Sequence, residues 1–135
     1  MEKFKLIEHT ADIKFQAFGK SLEEVFKNSA LAVSKSILNE ELKGKVVKKI
    51  KVSGKDDERL LYEFLEEILF LFDSKNFLVT DIKSIEIKGE ELKAELIGLN
   101  AKGYEMDNHV KAVTYNEMFI EKQGNKFVAQ VVLDV

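Results

Sequence analysis

The strongest constraint on this chain is the order in which its hydrophobic period changes. Between Asp12 and Phe18, the apolar residues Ile13, Phe15 and Ala17 alternate with Asp12, Lys14 and Gln16. That period of two marks a half-buried strand with Asp12 on its polar face. After Gly19 the period lengthens. Leu22, Val25, Phe26, Ala30, Val33 and Ile37 recur at helical spacing and predict an amphipathic helix running to about Leu38. Ser21 and Glu24 supply its start signal, a capping box with Ser21 as N-cap and Glu24 reaching back. The same change then happens again. Gly44 precedes a strand at about 45–52, and Asp56 or Asp57 caps a second helix. Leu60, Leu61, Phe64, Leu65, Ile68, Leu69 and Phe72 give that helix a wide apolar face. Two hairpins complete the pattern: strands near 79–88 and 91–99 around Gly89-Glu90, and strands near 110–121 and 126–134 around Gly124-Asn125. Residues 4–7 form a short additional strand at the start, and 100–108 read as a loop.

This order predicts an α+β fold of nested strand–helix–strand–strand modules, with two helices packed on β-sheet. The outer module takes in about 1–44 plus 100–135, and the inserted module about 45–99. No linker rich in Pro, Gly or Ser separates them, so both are expected to share one core as a single domain of 135 residues. Nesting carries a functional consequence: the first strand and the last hairpin belong to one sheet, so residues near the two ends of the sequence become neighbours. In the last strand Phe127, Ala129, Val131 and Leu133 face one way, and Val128, Gln130, Val132 and Asp134 the other.

Charge and composition exclude several functions. Lys and Arg total 21 against 24 for Asp and Glu, and this net charge of −3 argues against unaided nucleic-acid binding, which calls for a basic footprint. The absence of cysteine removes disulfides, thiolate metal sites and cysteine nucleophiles. The most apolar run, 60–79, is interrupted by Glu63, Glu66, Glu67 and Asp73, so it reads as a buried amphipathic helix and not a membrane span. A cytoplasmic location without membrane contact is expected. There is no P-loop, GxGxxG, HExxH, EF-hand loop or GxSxG elbow, hence no basis for autonomous GTP binding or nucleophilic catalysis.

The residues left with chemistry to offer are few. Asp12 and Asp134 lie off the main apolar faces of their strands, near strand ends, and hard cations such as Ca²⁺ and Mg²⁺ prefer such oxygen ligands. A turn cap at Asp12 and an ordinary strand-end acid at Asp134 are the plainer alternatives. Val135 can add a backbone or terminal oxygen. Because Ca²⁺ takes about six to eight oxygens, these ligands describe an open site completed by water or by a partner. His9 and His109 are the only histidines and allow a zinc pair or a general base at His9, against ordinary structural roles. Lys111, within the apolar stretch 110–113, suits a phosphate or a partner's acid, against an outward strand lysine. Phe70, Phe72 and Phe77 are expected in the core, and any of them left exposed marks a protein-binding patch.

His9-Thr10-Ala11-Asp12, the glycine and helix at 19–26, the Leu60-Leu61 helix, Lys111-Ala112-Val113-Thr114-Tyr115 and the closing Leu133-Asp134-Val135 occur together in this order. In that combination the chain resembles the archease family over essentially its whole length. The resemblance implies a divalent metal ion, Ca²⁺ first and Mg²⁺ or Mn²⁺ as alternatives, held by Asp12, Asp134 and Val135. It further implies that the protein is no enzyme itself but activates the GTP-dependent RNA-splicing ligase of the RtcB type. That ligase joins a 2′,3′-cyclic phosphate or 3′-phosphate end to a 5′-hydroxyl end, notably in tRNA splicing. The family promotes guanylylation of the ligase histidine and repeated turnover, with RNA met only through the ligase. Two positions depart from the family pattern. Asn116 stands where a histidine often follows Tyr115, and Phe127 stands where tryptophan is frequent. Two other functions use the same residues differently: a metal-dependent phosphoesterase with His9 as base, and a general chaperone or assembly factor indifferent to the two aspartates.

Overall fold

The computed structural model describes residues 1–7 and 11–135. In chain order the elements are β1 (Phe4–Ile7), β2 (Ile13–Gly19), α1 (Leu22–Ile37), β3 (Val46–Ser53), α2 (Asp57–Lys75), β4 (Phe77–Lys88), β5 (Glu91–Asn100), β6 (Ala112–Gln123) and β7 (Lys126–Asp134). They form two antiparallel sheets, one ordered β1-β2-β7-β6 and the other β3-β5-β4. The expected α+β architecture is found, with two helices packed on two sheets. Each helix touches both sheets: α1 packs on β1, β2 and β7 and also on β4, while α2 packs on β6 and also on β3, β4 and β5. The helices therefore lie between the sheets, and one continuous apolar core runs through the layers.

Local sequence explains these elements. The Ser21 Oγ accepts the Glu24 N–H at 3.1 Å, as an N-cap should. Glu24 reaches one residue further back than the standard capping box: its Oε1 accepts the Lys20 N–H at 3.0 Å. Because α1 is a middle-layer helix, it is buried nearly all round, and its polar side chains there are small. Asn28 donates to the Phe18 carbonyl at 2.6 Å, and Ser29 and Ser36 donate to carbonyls one turn earlier. In α2, Asp56 is the N-cap and its carboxylate accepts the Arg59 N–H at 2.8 Å. Asn76, in the left-handed region at φ 55°, closes the other end. The helices meet through Phe26 and Phe64, whose rings stack at 6.0 Å.

Two features depart from the sequence expectation. Phe72 is half-buried and Phe77 buried, but Phe70 is 58% exposed, although Leu69 and Leu71 beside it are buried. Helical rotation accounts for this: Phe70 falls on the polar stripe of α2 with Arg59, Glu63 and Glu66. The second feature is a wide irregularity in β6. Thr114 pairs with Val132 and Phe119 with Gln130, so residues 115–118 bulge out of the ladder. Glu117 adopts φ 56° there, which costs a non-glycine residue energy. Hydrogen bonds hold it in place: the Gln130 Nε2 donates to its carbonyl at 2.9 Å, and Lys14 meets its carboxylate at 3.0 Å.

Candidate functional site

The site expected from the sequence lies where β2 and β7 end together. Their antiparallel ladder runs from Gly19↔Phe127 to Ile13↔Leu133. The next residue on one side is Asp12, in a half-buried bend, and on the other Asp134, exposed at the last position of β7. Two candidates from opposite parts of the sequence thus belong to one end of one sheet. β7 is an interior strand, flanked by β2 and β6, so Asp134 is carried on a strand supported on both edges. Ala112 pairs with Asp134 across β6, and the Lys111 N–H donates to the Asp134 carbonyl at 2.7 Å. That bond extends the ladder one step and fixes the main chain that presents the carboxylate. The side chain of Val135 packs partly buried against the core.

Asp12 opens onto a cleft of about 580 Å³ shared with Leu6, Ile7, Lys35, Asn39, Asp107 and Asn108. The sequence pattern gave no hint that the 101–111 loop builds this wall. Asp107 and Asn108 cap the C-terminus of α1: the Asp107 N–H donates to the Ile37 carbonyl at 2.8 Å, and Asn108 Nδ2 donates to the Ser36 carbonyl at 2.8 Å. The Asp107 carboxylate in turn accepts the Asn39 N–H at 2.7 Å. Asp107 is therefore engaged in capping. Among the described residues no group of three or more His, Cys, Asp or Glu gathers in a geometry able to hold a metal ion.

The remaining candidates are placed as follows. Lys111 is exposed, adjoining the Asp134 end through its backbone bond. His9 lies outside the described residues, so the His9–His109 pairing and the general-base role of His9 do too; His109 itself is exposed in the loop before β6. Asn116 sits in the β6 bulge, exposed, its N–H donating to the Thr114 hydroxyl at 3.3 Å. Phe127 is half-buried under the Lys122 ammonium.

Helix α2 brings a second group of side chains to β6, the strand that carries 112–115 of the Lys111–Tyr115 segment. The Glu66 Oε2 accepts the Val113 N–H at 2.8 Å. Tyr62 stacks on Tyr115 with ring centroids 4.2 Å apart and planes 13° from parallel. Burial pushes both phenols above the ordinary tyrosine range; Glu66 adds to this at Tyr62, whereas at Tyr115 the Arg59 charge opposes it. Among the described residues no helix is long and apolar enough to cross a membrane.

Comparison with known proteins follows the same outline. The model of the Archease protein family matches residues 4–135. The protein archease of Methanosarcina mazei is 36% identical over 141 residues, covering 99% of this chain and 97% of the relative. That of Pyrococcus abyssi is 39% identical over 143 residues, covering all of both. Among solved structures, Methanobacterium thermoautotrophicum protein 1598 superposes with a TM-score of 0.85 at 32% identity over the full length of both chains. A Thermotoga maritima archease, described as a possible chaperone, shares the fold with a TM-score of 0.64 at 23% identity, covering 97% of this chain and 96% of that one.

Proposed function

The chain belongs to the archease family, and from that membership we propose that it acts without catalytic residues of its own, as an activator of the GTP-dependent RNA-splicing ligase. In this reading it positions a divalent cation, Ca²⁺ or in its place Mg²⁺ or Mn²⁺, for the ligase, and so promotes guanylylation and repeated turnover in tRNA splicing. One observation carries the proposal: the β2–β7 ladder leads directly into Asp12 on one strand and Asp134 on the other.

The donor set fits a hard cation, because Asp12, Asp134 and a main-chain oxygen of Val135 offer oxygen only. It also falls well short of the about six to eight oxygens that Ca²⁺ prefers. A site short of ligands is suited to being shared, with the ligase, its substrate or water supplying the rest. When bound, the cation neutralises the two carboxylates and offers phosphate oxygens a positive centre. The chain itself holds and orients. Asp134 is presented on an exposed strand end whose main chain the Lys111 N–H secures at 2.7 Å, and Asp12 comes from a half-buried bend on the neighbouring strand. Lys111, exposed and bonded through its N–H to the Asp134 carbonyl, and His9, close to Asp12 in sequence, are assigned to contacts with the partner or its phosphate. RNA is met through the ligase, in keeping with a net charge of −3.

A multiple-turnover ligation assay with the partner ligase tests this, paired with terbium luminescence on the isolated chain as a metal readout. Asp12→Asn and Asp134→Asn are each expected to lose both stimulation and metal binding. Full stimulation by both variants would show the metal reading to be wrong. Phosphoester turnover by the isolated chain, lost on His9→Ala, would replace it with a hydrolase.

A further inference from the structure

Phe70 is the one large apolar side chain that α2 leaves exposed, at 58%, while Leu69 and Leu71 on either side are buried at 3% and 7%. Its position along the helix makes the exposure informative. Tyr62, Glu66 and Phe70 follow one another at intervals of four residues, so they form one stripe. Tyr62 meets Tyr115 of β6, and Glu66 meets the Val113 N–H. As α2 advances by one turn, about 5.4 Å, β6 steps back by two residues, about 6.8 Å. The next turn carries Phe70 abreast of residues 110–111, and there the Lys111 N–H is bonded to the Asp134 carbonyl. The exposed ring thus flanks the carboxylate end of the sheet.

Its neighbours on α2 are mainly acidic, with the exposed Lys111 on the adjoining segment. Glu63 and Asp73 are exposed, and Glu66 and Glu67 half-buried, on the same side of α2. None of the ion pairs among the described residues engages Glu63, Glu67 or Asp73. The negative excess of this stripe disfavours nucleic acid as its primary partner. An apolar ring inside an acidic border fits a protein pocket that is apolar at its centre and rimmed by Lys or Arg. The entrance to an RNA ligase's active site must be basic, because it holds RNA phosphates. The geometry points to Phe70 as the anchor that docks this chain on the rim of the ligase active site, with its acidic neighbours guiding approach. This inference rests on the proposed function for the identity of the partner, but not on the metal.

Two quantities separate docking from delivery: the concentration giving half-maximal stimulation, and the plateau. Phe70→Ala is expected to raise the half-maximal concentration by about 10- to 30-fold, as for loss of an interface anchor, and to leave the plateau intact. Phe70→Tyr keeps the ring and stays near wild type, and Phe70→Glu is weaker than Phe70→Ala. A thermal melt confirms that these exposed-site variants remain folded. Asp134→Asn should instead lower the plateau. Direct titration of labelled chain against ligase without RNA repeats the affinity comparison independently of activity. Equal affinities for Phe70→Ala, Phe70→Glu and wild type overturn the docking role. So does Phe70-dependent binding of an RNA oligonucleotide by the isolated chain. Binding that depends on Phe70 with a plateau indifferent to Asp134 supports docking while overturning the metal reading. A wild-type chain that does not bind the ligase overturns both.

Discussion

Removing the Glu66 carboxylate measures how firmly α2 holds the β6 strand beside the site. Glu66 Oε2 accepts the Val113 N–H at 2.8 Å, and Val113 is only 2% exposed, so its amide has little water to turn to when the carboxylate is gone. A hydrogen bond to a charged group contributes about 1.5–3 kcal/mol, and leaving a buried donor unpaired adds to the cost of losing it. Glu66 is itself half-buried, and partial access of solvent after truncation lowers the expectation to about 1–2 kcal/mol for Glu66→Ala. In a chain of this length that is a fall of about 4–7 °C in Tm. Glu66→Gln keeps an oxygen acceptor and loses only the charge, so its cost should stay below about 1 kcal/mol. Guanidinium denaturation gives the free energies, and hydrogen exchange at the Val113 amide reports the bond itself. Exchange there should accelerate in Glu66→Ala and much less in Glu66→Gln. A Glu66→Ala variant within about 0.5 kcal/mol of wild type, with Val113 still protected, would refute the claim that this bond fastens the strand.

Gly98→Ala places a Cβ against the Leu78 carbonyl oxygen and 2.6 Å from the Phe77 ring, backbone and core that cannot yield. It should cost about 2–3 kcal/mol or more in denaturant unfolding, and an unchanged midpoint would contradict the packing described. Tyr62 and Tyr115 have phenols raised by burial, so the folded chain disfavours an ionisation that the unfolded chain undergoes near pH 10. Stability intact below about pH 10 should therefore fall as the pH rises through the raised titrations; urea midpoints that stay level while alkaline absorbance shows these tyrosines ionising would count against it.

Much of the fold was legible because local signals agreed with one another. The period of two at 12–18 became β2, the Ser21 and Asp56 caps began their helices where expected, and Gly89 and Gly124 turn their hairpins at φ 59° and 65°. The shared sheet of first strand and last hairpin followed from the nesting of the elements, and with it the common location of Asp12 and Asp134. What escaped had more than one cause. Phe70 sits inside an apolar run and was expected in the core, although the helical period already sets it on the stripe of Arg59, Glu63 and Glu66. The β6 bulge has no glycine to announce it: a glutamate occupies the left-handed position, and Asn116 beside it is its one turn-forming residue. Asp107 and Asn108 gave no capping signal because the helix they cap ends about 70 residues earlier in the chain.

The placement of β7 between β2 and β6 also bears on how the sheet is assembled. β7 is an interior strand of its sheet, yet its partner β2 lies far from it in sequence, Ile13 pairing with Leu133. Such long-range pairing raises the contact order and delays closure of the sheet until β7 is available. A chain truncated before β7 lacks one of the two aspartates and leaves β2 and β6 with unpaired edges, open to aggregation. Closing the sheet and bringing Asp12 and Asp134 to one end of it are thereby a single event.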